Sequence, residues 1–372
     1  MKSDEDDMTD PLTLATHLIA LRTDAGNAQA LDAAMDLVVA ALGGFTIEHF
    51  EREGSRSLLA YVGPTRPERF GVLLNGHVDV IPGNPSLYQA TIDGDRLSGV
   101  GSVDMKANLA VLIDVFCLNA RQTRFPLGLQ IVSDEELGGF NGTRYQMEHG
   151  VLADVVLSGE TTQFDIIHQA KGIAWYRCHI PGTTAHGAYP WRGDNALLIA
   201  QQFIARMLTR FPIPAPNAWV TTVNVAGIDT HNFAFNKVPD AVTVSLDVRF
   251  IPADRDTLAL ILQELLPADG TFEQLVDESP LDTPADHPAL HALKTSTEAV
   301  LGKPVAFRAA MGSSDARHYA QTGAACIEYG PFGTGIASDD EHTSIAGLRQ
   351  YSTILERFLR GYVPTTNKGT ER

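Results

Sequence analysis

Six residues of this sequence could share one piece of chemistry, because each stands where an apolar run gives way to polar residues. His77 and Asp79 end "FGVLLNGHVDV", Asp104 follows "SGVGSV", Glu135 and Glu136 end "LQIVSDEE", and Glu160 ends "VVLSGE". Read as strands of an open α/β sheet, these runs would bring their polar ends to the edge where ligands bind. One histidine with several carboxylates on such an edge suits a hard or borderline divalent cation, zinc before others. Taken singly, each residue has a plainer account. A strand-end His is usually just hydrogen-bonded, Asp104 could favour a helix N-terminus, the Glu135-Glu136 pair could be a solvated turn, and Glu160 an edge charge. Four independent strand ends with the same chemistry favour the metal. Neither "GVGSVD" nor "GPFGTGIA" completes the G-x-G-x-x-G of a dinucleotide loop, and no G-x-S-x-G elbow is present.

The elements that must position these residues alternate in type. "DPLTLATHLIAL" and "ALDAAMDLVVAALGG" read as helices, the first opened by Pro11 and the second closed by Gly43 and Gly44. Strand-like runs, the helix "DMKANLAVLIDVFCLNA" and further short strands follow up to Glu160, giving an α/β fold with an open sheet covered by helices. From Gly172 the order becomes β-α-β-β-α through "DRDTLALILQELL", a small α+β unit. The α/β character resumes near His287, so residues 172–286 read as a domain inserted into a discontinuous one formed by 1–171 and 287–372.

A chain of 372 residues fits two domains. Its formal charge of -17 argues against a nucleic-acid or anionic-membrane partner, though a single local Arg could still receive a small anionic substrate. Cys117, Cys178 and Cys326 are scattered without a CxxC and read as buried thiols in a reducing compartment. The start, MKSDEDDMTD, lacks the basic and apolar regions of a signal peptide, and "NLAVLIDVF" is broken by Asp114 and too short to span a bilayer. A cytoplasmic location is expected.

The motifs "NGHVDVIP", "GVGSVDMKANLA", "SDEELGGFNGT" and "SGE" resemble, in order and spacing, those of the dizinc hydrolases that include acetylornithine deacetylase, succinyl-diaminopimelate desuccinylase, aminoacylase and the glutamate-releasing carboxypeptidases. The likeness extends to "TTAHGAYP" and "NKVPDAVTVSLDVRFIP" in the insert, while "GSSDARHY" and "EYGPFGTG" look like the desuccinylase end of the family. The resemblance implies a zinc exopeptidase-like catalytic domain with an inserted lid through which two copies dimerise edge to edge. It implies up to two zinc ions, with cobalt or manganese as substitutes. His77 and Glu160 would hold one, Asp104 would bridge, Glu136 would hold the second, and Asp79 would orient His77. Glu135 would be the general base that takes a proton from the attacking water. His186 would reach a neighbouring subunit's site and stabilise the oxyanion. Arg249, Asn236 and Arg317 would bind the substrate carboxylate, although a surface or interdomain ion pair accounts for either Arg almost as well.

One stretch departs from that pattern. The family's last zinc ligand is a His followed by two residues and then Asp-Glu or Asn-Glu; in "ASDDEHTSI" that position is Ala337, and His342 lies beyond Glu341. Three accounts stay open: His342 substitutes, the second ion is held weakly or not at all, or Ala337 is a deliberate replacement of the ligand. Val100 and Ala107-Asn108 also stand where the family has Arg and Gly-Gly, which points to natural divergence. The expected activity is metal-dependent hydrolysis of the amide of an N-acyl amino acid, acetyl or succinyl. A dipeptidase or carboxypeptidase of the same family, or a binding protein that has lost turnover, are the alternatives.

Overall fold

The computed structural model describes residues 10–364; the acidic stretch 1–9 lies outside them. The chain divides into two compact units. One comprises the described residues up to His168, Asp282–Arg308 and those from Ser314 onward; the other comprises Gln169–Leu281 and Ala309–Ser313.

The first unit is built on a mixed sheet. Its order runs Thr46–Arg52, Ser55–Tyr61, Leu127–Val132, Phe70–His77, Ala153–Ser158, Ala325–Glu328. The first two neighbour pairs of this series, from Thr46–Arg52 to Leu127–Val132, are antiparallel, and the remaining three, out to Ala325–Glu328, are parallel. Every residue of Phe70–His77 is buried, as expected of a strand covered on both faces. Helix Pro11–Ile19 is capped by Asp10, whose carboxylate accepts the Thr13 N–H at 2.9 Å. Helix Lys106–Asn119 is buried almost all round and belongs to the main core with Met105, Leu109 and Leu112.

That helix lies unusually close to two strand ends. A Cβ on Gly76 would fall 2.9 Å from Met105 Cε and 3.0 Å from Leu109 Cδ1; one on Gly159 would fall 2.7 Å from both Met105 Cε and Leu112 Cδ1. Each glycine immediately precedes a candidate ligand, His77 or Glu160, so the missing side chains let the segment that starts with Asp104 settle against both. A smaller sheet, Gly333–Thr334, His342–Ser344, Arg96–Ser98 and Thr91–Asp93, ties the late stretch around Glu341 to the loop leading into Asp104.

The second unit is a four-stranded antiparallel sheet in the order Thr222–Asp229, Ala241–Phe250, Gly172–Pro181, Thr271–Glu278. Helices Ala196–Arg210 and Leu258–Leu265 join its core, and burial alternates strictly along Gly172–Pro181. Thr271–Glu278 is a strand that the β-α-β-β-α order leaves out. Its mostly exposed, polar residues carry little apolar alternation, as is usual for an edge strand. Among the described residues no helix is long and apolar enough to cross a membrane.

Candidate metal centre and active site

Ligand atoms of His77, Asp104 and Glu160 lie within 4.8 Å of one another. His77 is 1% exposed at its strand end; Nδ1–H donates to the main-chain carbonyl of Asp79 at 2.9 Å, and Nε2 faces Asp104 Oδ1 at 3.1 Å. The backbone carbonyl therefore fixes the ring, and Nε2 is the atom turned toward the cluster. Burial opposes charge on this imidazole, but its bonds to Asp104 and Asp79 prevail and hold its pKa well above the ordinary value.

Asp104 does not cap the helix that follows it: the cap residue is Met105, with no side-chain cap bond. Asp104 instead belongs to a loop gathered by Glu341, whose Oε1 accepts the N–H groups of Gly101 at 2.9 Å, Val103 at 3.0 Å and Asp104 at 3.4 Å. On the far side, Asn108 Nδ2 donates to the Gly159 carbonyl at 2.8 Å and to Thr161 Oγ1 at 2.9 Å. The residue that stands where the resemblance expects glycine thus stitches helix Lys106–Asn119 to the strand end bearing Glu160.

Glu135 and Glu136 open a short 3-10 turn, Glu135–Leu137, closed by Gly138 and Gly139 at φ +102° and +64°. Asp79 Oδ2 accepts the Glu136 N–H at 2.9 Å, so its carboxylate tethers this turn to the His77 strand. Three buried residues of "GSSDARHY" brace the turn from behind. Arg317 Nη2 and His318 Nε2 both donate to the Gly138 carbonyl, at 2.6 and 2.9 Å, and Asp315 packs where a Gly139 side chain would be. Burial drives His318 down to about 3, so it is neutral and donates through Nε2.

The carboxylates crowd one another away from water. Burial, aided by Asp315, Glu160 and Asp79, pushes Glu135 well above its usual range. Burial likewise pushes Glu136 up to about 7 and Glu160 up to about 8. One imidazole facing this set of oxygens is a donor set that fits a divalent cation, and a cation would offset the repulsion among them.

The other expected residues have different settings. Arg317 is 5% exposed, and its two Nη atoms donate to the carbonyls of Ser314 and Gly138. Ala337 is exposed at φ +55°, in the loop between Gly333–Thr334 and His342–Ser344. His342 Nδ1 donates to the Asp340 carbonyl at 2.7 Å, and its ring borders a small cavity with Gln163, Phe332 and Ser344. It does not join the His77 cluster.

In the second unit, His186 and Asn236 are brought side by side by a bridge between His186 and Lys237 and by the Gly187 N–H, which donates to the Asn236 carbonyl at 2.6 Å. Exposed His186 accepts the Ala188 N–H on Nδ1 at 3.1 Å, which leaves Nε2–H as a free donor. Arg249 is half-buried, with Nε donating to Asp247 at 2.9 Å. Asp315, His318 and Glu341 support the site without belonging to the set that the sequence points to. The run "SSDARHY", dense in polar side chains, holds two of them.

Comparison with known proteins agrees in outline. The family described as peptidase family M20/M25/M40 matches residues 73–361. Succinyl-diaminopimelate desuccinylase of Alkalilimnicola ehrlichii is 27% identical over 380 residues, covering 95% of this chain and 99% of the relative. Among solved structures, aminopeptidase PepT of Bacillus cereus superposes with a TM-score of 0.76 at 18% identity, over 95% of this chain and 98% of that one. The Bacillus subtilis YXEP protein, described as a dinuclear metal-binding peptidase, gives 0.68 at 13% identity over 94% and 98%. Both structural likenesses concern the fold.

Proposed function

The chain belongs to peptidase family M20/M25/M40, and we propose that it is a metal-dependent amidohydrolase that cleaves the amide of an N-acyl amino acid, a succinylated one before others. The convergence of His77, Asp104 and Glu160, with Glu135 on the adjoining turn, carries this reading. The desuccinylase similarity over nearly the whole chain favours a succinyl group and a place in amino-acid biosynthesis.

His77 Nε2, Asp104 and Glu160 would hold one ion, zinc by preference and cobalt or manganese in its place, and Glu136 would belong to a second. When bound, the ion would polarise the scissile carbonyl and make a water molecule more acidic. Glu135 takes the proton of the attacking water and returns it to the departing amine, a task suited to a carboxylate whose pKa burial raises well above its ordinary value. Nε2–H of His186, from a neighbouring subunit, donates to the developing oxyanion. Arg249 and Asn236 receive the substrate carboxylate, because the Arg317 fork is already taken by two carbonyls. Two copies pair through the edge strand Thr222–Asp229, where Ile228 is exposed. A cytoplasmic location fits this chemistry. The intact general base counts against a binding protein without turnover.

The test is a panel of N-acetyl and N-succinyl amino acids with dipeptides as competitors, assayed before and after chelation and zinc return. Glu135→Gln should keep its metal and lose about 10²–10⁴-fold in kcat. No metal-dependent turnover by the natural chain, or full activity in Glu135→Gln, would refute the assignment.

A further inference from the structure

We infer that Glu341 is a positioning residue for the metal centre, acting on Asp104 through its backbone; the inference rests on the proposed role of Asp104 as a ligand. The loop from Gly99 to Asp104 has six N–H groups, and Glu341 takes four of them. Its main-chain carbonyl accepts Gly99 at 3.2 Å, and its Oε1 accepts Gly101, Val103 and Asp104. The other two go to Leu87, from Val100, and to Gly99, from Ser102.

Successive N–H groups turned toward one point form a concavity for an anion. Here the anion is supplied by the chain itself, and the carboxylate is 5% exposed. The loop can close on it because Gly101 sits at φ +82° and has no Cβ; one built there would lie 2.7 Å from Lys106 Cδ. Pairing of His342 with Ser98 fixes the approach of Glu341 from the other side. The arrangement therefore does more than satisfy a buried charge: it sets where Asp104 leaves the loop, and so where its carboxylate stands relative to His77 Nε2, 3.1 Å away. The segment that lacks a ligand at Ala337 still contributes to the site, four residues later and indirectly.

Zinc affinity would be measured by chelator competition for the natural chain, Glu341→Ala and Glu341→Gln. The visible absorption of the cobalt-loaded forms and thermal unfolding of the metal-free forms would be recorded alongside. The alanine variant should bind zinc about 10–100-fold more weakly, the range typical when support of a ligand is lost, with a changed cobalt spectrum. Glu341→Gln, which keeps an acceptor oxygen but not the charge, should fall between and recover part of the spectrum. Unchanged affinity and spectrum in whichever variants fold would overturn the inference while leaving the metal site intact. Failure of the natural chain to bind zinc or cobalt would instead overturn the metal-site reading on which it rests.

Discussion

Replacing Gly139 by alanine should injure both stability and turnover, because it strikes the joint between the Glu135 turn and its brace. The added Cβ would lie 1.8 Å from Asp315 Oδ1, 2.5 Å from its Cγ and 2.7 Å from Oδ2. An ordinary carbon–oxygen contact is about 3.4 Å, so something must retreat by roughly 1.5 Å. Asp315 cannot easily do so. It is fully buried, its Oδ2 accepts Thr143 Oγ1 at 2.6 Å, and His318 stands 3.8 Å from Oδ1. The turn must therefore shift, or the core must absorb the overlap. Overpacking of this kind costs about 1–3 kcal/mol, and a left-handed alanine at φ +64° adds about 1–2 kcal/mol. The expected loss is about 2–5 kcal/mol in urea unfolding of the metal-free chain. If the turn yields, a displacement near 1 Å at Glu135 should cost about 10²-fold in kcat. Gly138→Ala is the control: its Cβ would meet the Phe140 ring at 2.6 Å, but that ring is exposed and can rotate away, so mainly backbone strain remains. A Gly139→Ala protein with stability within about 0.5 kcal/mol of the natural chain and unaltered kcat would refute the claim that Asp315 backs the turn.

Ala337→His should fold normally, since the site is exposed and histidine tolerates φ near +55° better than most residues; metal per chain by elemental analysis should rise toward two, and activity with it, and no change in either would sink the placement of the missing ligand. Metal uptake should release protons at pH 7, from His77 and Glu160 with the first ion and from Glu136 with a second, measurable by calorimetry in buffers of different ionisation enthalpy. In the metal-free chain both glutamates titrate above their usual 4.5, at about 7 and about 8, so the folded state holds more protons than the unfolded one. Its stability should then fall as pH rises from about 5 to 8, and metal should flatten that fall; a metal-free melting temperature that climbs across this window would contradict the assignment.

The parts of the site that ended apolar strands were legible in the sequence. His77, Asp104 and Glu160 each follow a buried run, and the fold brings their ligand atoms together. Supports that act through main-chain groups were not legible. Glu341 looks like one more acid in "SDDE", and nothing in its neighbours shows that three N–H groups from residues some 240 positions earlier converge on it. Arg317 had the chemistry of a carboxylate binder, but burial beside Gly138 gives its fork a structural task. Asn108 stood out only as a departure from a glycine, because its bond to the Gly159 carbonyl depends on how closely a helix approaches a strand. The strand Thr271–Glu278 escaped notice for a different reason: an edge strand with one short apolar face has almost no periodic signature.

Gly76 and Gly159 set how closely the segment after Asp104 can lie to two strand ends. Met105 Cε stands 2.9 Å from where a side chain on the first would begin and 2.7 Å from where one on the second would begin. A close-packed interior has little slack to give, so a methyl group at either position would press Met105, and the Asp104 beside it, away from His77 or Glu160. Two hydrogen atoms thus stand where side chains would otherwise hold the three donors apart.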